Sequence, residues 1–108
     1  MALTAGMTAM IDDAIGDVLA ALQESGRADE TVVIFTSDHG DYLGDHWLGE
    51  KELFHDSSVK VPLIIADPRK QADCTRGTVC SELVEAIDLA PTFLSYFGGA
   101  PKPHILEG

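Results

Sequence analysis

The hydrophobic positions fall into runs of different period. Met7, Met10, Ile11, Ala14, Ile15, Val18, Leu19 and Leu22 recur three and four residues apart. That is the repeat of an amphipathic helix with one buried face. Asp12, Asp13 and Asp17 lie off the stripe, and methionine at such spacings is core filler. Gly26 supplies a C-terminal stop. The spacing predicts a helix over about 5–25. Thr31–Thr36 is rich in β-branched residues and shows no alternation. A strand apolar on both sides suits the middle of a parallel sheet covered by helices on both faces. Val61–Ala66 predicts a second such strand, with Pro62 near its start, where a missing N–H is tolerated.

Residues 67–77 are polar, with Pro68, Arg69, Lys70 and Gly77, and predict a surface loop. A short extended piece is expected near Thr78–Leu83. Asp88 before Leu89-Ala-Pro91 reads as the N-cap of a second helix. Leu89, Phe93, Leu94 and Phe97 form its apolar face, and Gly98-Gly99 ends it. Pro101-Lys102-Pro103 leads into an irregular tail. No internal repeat or low-complexity tract is present.

These elements do not close a core by themselves. Two strands apolar on both faces need helices above and below. The run from Ser37 to Lys60 has no strong period, and structureless loops that long are usually functional. The chain is therefore expected to be a segment of a larger α/β domain, or to cover its faces by self-association.

Composition narrows the partners. At 108 residues the chain is one domain at most, and 45% hydrophobic residues suffice for a globular core. A formal net charge of −11 argues against a nucleic-acid backbone or an anionic membrane as partner. Cys74 and Cys80 could pair, but they fit no zinc spacing and read rather as reduced or incidental. No basic region precedes an apolar run at the N-terminus, so no signal peptide is expected. No apolar segment approaches the roughly 20 residues of a membrane span, so a soluble chain is expected. The compartment stays open.

Candidate chemistry gathers in one window. His39, His46 and His55 fall there with Asp38, Asp41, Asp45, Glu50, Glu52 and Asp56, just past the first strand. Ligands bind beyond the carboxyl ends of strands in α/β sheets. A solvated acidic loop is the plainer alternative. Asp38 and His39 are the sharpest pair. A carboxylate and an imidazole at a strand-ending turn suit a divalent ion, and Gly40 gives the backbone freedom. Two ligands are too few for such an ion, so others must come from elsewhere. The plainer reading is an N-cap Asp beside a surface His. Lys51 stands among acids, as an oxyanion-holding cation or as an exposed lysine paired with Glu50 or Glu52. Trp47 reads as a packing residue. Ser37-Asp38-His39 is no triad, because triads assemble from separated residues, and no nucleophile elbow surrounds Ser57 or Ser58.

Thr36-Ser-Asp-His-Gly40, Leu43-Gly-Asp-His46, Lys51 and Val59-Lys-Val-Pro-Leu-Ile-Ile65 together resemble the C-terminal part of the sulfatase family, within the alkaline-phosphatase-like superfamily. The pattern is most similar to the branch of phosphonate monoester hydrolases and related arylsulfatases. Met10-Ile-Asp-Asp13 with Ile15-Gly16 resembles the family's pre-strand helix, and Ile87–Leu94 its Asp-x-x-Pro-Thr helix. The resemblance covers nearly the whole chain. It implies an α/β, partial alkaline-phosphatase-like fold with a short, mainly parallel sheet flanked by helices. Residues 1–108 would form the C-terminal portion of a catalytic domain.

By the same resemblance, Asp38 and His39 match two ligands of a divalent metal. Many sulfatases have Asn where His39 stands, and calcium, manganese, magnesium and zinc stay open. Lys51 matches the lysine that holds the sulfate or phosphonate oxyanion on the leaving-group side. Ser57 and Lys60 depart from a usual proline and arginine. The family's Cys-x-Pro-Ser-Arg or Cys-x-Ala-x-Arg motif, source of the formylglycine nucleophile, is not in these residues, and Cys74 and Cys80 have other surroundings. The resemblance thus implies part of a metal-dependent hydrolase of sulfate, phosphonate or phosphate esters, inactive without the N-terminal part. The alternatives are a non-catalytic, self-associating relic, or another enzyme of the superfamily, such as a phosphodiesterase or a phosphoglycerate-mutase-like protein.

Overall fold

A computed structural model describes residues 2–100 and 102. They fall into two compact units that divide after Arg76. The first begins with helix α1, Ala2–Glu24. It stops where expected. Gly26 takes φ +69°, and its N–H donates to the Gln23 carbonyl at 3.0 Å. Only a residue without Cβ takes that conformation cheaply. A single 3₁₀ turn, Ala28–Glu30, leads to strand β1, Val33–Thr36. After a long loop, a one-turn helix α2, Asp56–Val59, precedes strand β2, Leu63–Ala66.

β1 and β2 pair as a two-stranded sheet, with Val33 opposite Ala66 and Thr36 opposite Leu63. Helices and a small sheet fit the α/β expectation. The orientation corrects the expected mainly parallel arrangement, because the pairing is antiparallel. A parallel return needs a crossover that carries the chain back along the sheet, usually as a helix. Between Thr36 and Leu63 the only α-helix is α2, of 4 residues. The chain instead loops out and re-enters beside the end of β1 that it left.

The apolar stripe of α1 is where the period puts it, but it is not buried. Met10 and Val18 are 72% and 68% exposed, and only Ile15 and Leu22 of its C-terminal half are partly covered. Ile15, Val18, Leu19 and Leu22 face Ile34, Phe35 and Ile64 across an open apolar trough of about 870 Å³. Ile64 and Ile65 on β2 are also exposed. Each element is one layer of a layered fold, with no second layer pressed on it.

After β2, Asp67 closes a turn on Arg69. The Arg69 guanidinium donates to both carboxylate oxygens, at 2.9 Å (Nε to Oδ1) and 2.6 Å (Nη2 to Oδ2). A 3₁₀ stretch follows at Lys70–Thr75. Cys74 and Cys80 are both free and exposed.

In the second unit no strand forms over the expected extended piece at Thr78–Leu83. Among the described residues the strands are β1 and β2, which pair with each other. A 3₁₀ turn, Ala86–Asp88, runs into helix α3, Leu89–Tyr96. The expected cap shifts by three residues. Asp88 is already helical and caps backwards, its Oδ2 accepting the Glu85 N–H at 2.7 Å in a reciprocal capping box with Glu85. Gly98 (φ +77°) and Gly99 end α3, donating to the Ser95 and Leu94 carbonyls at 3.0 and 2.7 Å. Those two bonds make a Schellman motif. The tail expected beyond Pro103 lies outside the described residues.

The Asp67 carboxyl is held down to about 2, first by the Arg69 side chain and then by the Arg69 N–H. A carboxyl depressed on folding contributes stability above its ordinary value of 3.8, and loses that contribution as pH falls through the folded value. Carbon-13 NMR of Asp67 is expected to show a midpoint near 2. Arg69→Ala should return the midpoint toward 3.8.

Candidate active site

The site begins where β1 stops. Ser37 turns the chain, its Oγ donating to the His39 carbonyl at 2.8 Å. Asp38 caps no helix, so the N-cap half of the plainer reading does not hold, while both side chains remain at the surface. Its Oδ1 accepts the His39 N–H at 3.0 Å, so one carboxylate oxygen anchors the turn. The other, Oδ2, lies 3.4 Å from His39 Nε2, on a side chain that is 85% exposed. The His39 N–H, foremost, holds the Asp38 carboxyl below its ordinary value.

His39 has its ring fixed from the opposite side. Nδ1 lies 2.8 Å from the Gly40 carbonyl. A carbonyl only accepts, so Nδ1 carries the proton and Nε2 presents a lone pair. Nε2 meets the Lys51 ammonium at 2.5 Å. An ammonium only donates, which fits the same tautomer.

The next contact depends on a missing side chain. The Gly40 N–H donates to the Ser58 carbonyl at 2.7 Å. A Cβ at position 40 would overlap the Ser57 carbonyl. The loop then closes on itself. The Tyr42 N–H donates to the Glu50 carbonyl at 3.0 Å, and the Ser58 Oγ to the Lys51 carbonyl at 3.2 Å. Between them the backbone is left-handed at Leu43, His46, Trp47 and Glu50, four residues with side chains, and at Gly44. Each such non-glycine residue costs roughly 1–2 kcal/mol, which the surrounding bonds must over-determine.

Tyr42, Asp45, His46, His55 and Ser57 engage one another instead. His46 and His55 stack at 4.4 Å, and Tyr42 meets both rings edge-on. The Tyr42 hydroxyl lies 2.9 Å from His55 Nδ1. Ser57 Oγ donates to Asp45, the main reason the Asp45 carboxyl lies below its ordinary value. Trp47, expected to pack, is 100% exposed. Its left-handed backbone (φ 61°) sits in a loop tip with no layer above it.

Asp38, His39 and Lys51 therefore come together, while His46, His55 and Asp45 are engaged elsewhere. Lys51 forms no ion pair with Glu50 or Glu52 among the described residues. Sequence reasoning missed Tyr42 and Ser58. Their signal is spatial, because each is linked to a residue seven or more positions away.

The pair fits a divalent ion as a half-site. Ligand atoms about 2.0–2.2 Å from one ion lie roughly 3–3.5 Å apart. The Asp38 Oδ2 to His39 Nε2 separation of 3.4 Å meets that. An imidazole held through its far N–H by a carbonyl is also the usual support of a metal-binding histidine. Among the described residues, no group of three or more His, Cys, Asp or Glu gathers to hold a metal.

Comparison with known proteins gives this geometry its family. The sulfatase family model matches residues 1–100. The multifunctional alkaline phosphatase superfamily protein PehA of Trinickia caryophylli is 41% identical over 103 residues, 95% of this chain and 20% of that protein. An arylsulfatase of Clostridium perfringens is 38% identical over 103 residues, 95% of this chain and 21% of its own. An N-acetylglucosamine-6-O-sulfatase of Bacteroides thetaiotaomicron is 34% identical over 98 residues, 91% and 17% respectively. The chain belongs to the sulfatase family. It spans about a fifth of the length of these relatives. No helix among the described residues is long and apolar enough to cross a membrane.

Gly40→Ala is expected to break the Gly40–Ser58 contact, since the added methyl meets backbone rather than a movable side chain. The cost should be about 1–3 kcal/mol, read by urea denaturation. It should be accompanied by faster amide exchange at Gly40.

Proposed function

We propose that residues 1–108 are a C-terminal portion of a sulfatase-family catalytic domain. They supply one wall of a metal-dependent site that hydrolyses sulfate, phosphonate or phosphate esters. The observation that carries this reading is His39. Its proton is held at Nδ1 by the Gly40 carbonyl, and Nε2 faces Asp38 Oδ2 and the Lys51 ammonium. Membership of the family, and relatives named as arylsulfatase and N-acetylglucosamine-6-O-sulfatase, support it.

In this reading Asp38 and His39 are two ligands of a divalent ion, which would take the Nε2 lone pair that faces the Lys51 ammonium here and leave that ammonium to the substrate, and the rest of the ligand set comes from outside this chain. Calcium, manganese, magnesium and zinc are all open to a carboxylate–imidazole pair. Such an ion, when bound, polarises the ester oxyanion and lowers the pKa of the nucleophile. Lys51 holds an equatorial oxygen of the sulfate or phosphonate and neutralises charge developing toward the leaving oxygen. The carbonyl of Gly40 keeps the His39 proton away from that face. The nucleophile belongs to the part of the enzyme not in these residues, so the chain by itself binds metal weakly and turns nothing over.

Manganese titrated into the chain is expected to broaden the His39 and Asp38 NMR signals before others, at millimolar concentration. Asp38→Ala should remove the effect. Nitrophenyl sulfate and nitrophenyl phosphonate should go unhydrolysed. Metal-dependent turnover by this chain that Asp38→Ala abolishes would refute the split site.

A second reading, a self-associating non-catalytic domain, has its own observation. Phe54, Val79 and Leu83 are more than nine-tenths exposed, as is Trp47. Large apolar side chains exposed to this degree on each unit are the kind that an interface covers. Light scattering distinguishes the two: a defined dimer supports the relic, and open-ended association with concentration supports a domain missing its other layers.

A further inference from the structure

We propose that Tyr42 and Ser58 are positioning residues for Lys51. They fix the backbone at Glu50 and Lys51 so that the Lys51 ammonium is held beside the Asp38–His39 pair. The inference rests on the reading of Lys51 as the oxyanion-holding cation, and it names what keeps that cation in place.

Tyr42 and Ser58 are the two buried residues among those described, at 2% and 4% exposure. Burying a hydroxyl costs stability unless it is bonded. Both are bonded, and in both cases the bonds run to the loop that carries Lys51. The Tyr42 hydroxyl lies 2.9 Å from His55 Nδ1 and also accepts the His55 N–H at 3.3 Å. That pair ties the start of the loop to its end. The Tyr42 N–H then holds the Glu50 carbonyl, and the Ser58 hydroxyl holds the Lys51 carbonyl. Two consecutive peptide carbonyls are gripped, one by each buried residue.

The grip is needed because Glu50 is left-handed, at φ 61°. A side-chain-bearing residue relaxes from that conformation once its surroundings stop enforcing it. Relaxation at Glu50 redirects the next residue, which is Lys51. The lysine stem is flexible, so its ammonium stays on one acceptor only while its backbone is aimed there. Tyr42 and Ser58 touch no reacting atom in this scheme. They act through Lys51.

The test uses the full chain and limiting acetic anhydride, with acetylation at each lysine read by peptide mass spectrometry. The readout is the ratio of Lys51 to Lys70 modification. Lys70 is already exposed and serves as the internal reference. Far-UV circular dichroism of each variant separates loss of aim, which raises the ratio with the spectrum unchanged, from loss of fold, and a rise seen only with a lost spectrum overturns the proposal. His39→Ala, which removes the acceptor, sets the ratio for an unheld Lys51. Tyr42→Phe keeps the ring and removes the hydroxyl, and Ser58→Ala removes the bond to the Lys51 carbonyl. Each is expected to raise the ratio by roughly two- to ten-fold, the range that loss of one net hydrogen bond releases. The proposal is overturned if both variants keep the wild-type ratio while His39→Ala raises it. It is also overturned if His39→Ala leaves the ratio unchanged, since Lys51 is then not held. The manganese titration needs neither Tyr42 nor Ser58. Failure of the hydrolase reading therefore shows there and not here.

Discussion

The approach of Gly40 to the Ser57–Ser58 backbone is the contact on which the rest of the site depends. One N–H to carbonyl bond of 2.7 Å joins the turn that leaves β1 to the helix turn that leads back toward β2. It requires that nothing project from position 40. Once it forms, Asp38 and His39 stand on one side of the junction, and Ser58 is brought beneath the chain at Lys51. The His39 tautomer follows from the same turn, because the carbonyl that fixes the ring belongs to Gly40.

Within the first unit little apolar surface is covered around this junction. Helix α1 and the β1–β2 pair face each other across an open trough, and the apolar stripe of α1 finds little cover. Local rules still hold within each element: a glycine stop on α1, a capping box before α3, a Schellman motif after it. Helix ends are settled by residues within a turn of one another. Burial is settled by layers, and layers come from distant chain. The described residues accordingly keep well-formed ends and nearly bare faces.

That division explains what the sequence made legible. The position and stop of α1, the two strands and the double-glycine end of α3 could all be read from period and punctuation. The direction of pairing could not. An apolar strand looks the same in either direction, and only the lack of a covering helix between Thr36 and Leu63 decided it. At the site, Asp38 and His39 announced themselves as neighbours, and Lys51 through the family pattern. Tyr42 and Ser58 did not, because an isolated tyrosine and a serine in a polar loop carry no spacing signal. Trp47 was misjudged because a left-handed backbone at a loop tip overrides the usual burial of indole.

The loop between Tyr42 and Glu50 separates two duties. None of the hydrogen bonds that aim Lys51 uses an atom of residues 43–49: they run to His39, Tyr42, Glu50, His55 and Ser58. Trp47, fully in solvent, can therefore change without moving the lysine, whereas Asp45 and His46 are tied to Ser57 and His55. A fold arranged in this way can alter what approaches its charged groups while leaving those groups where they are. Variation has a place to accumulate in the tip, and the junction at Gly40 does not share in it.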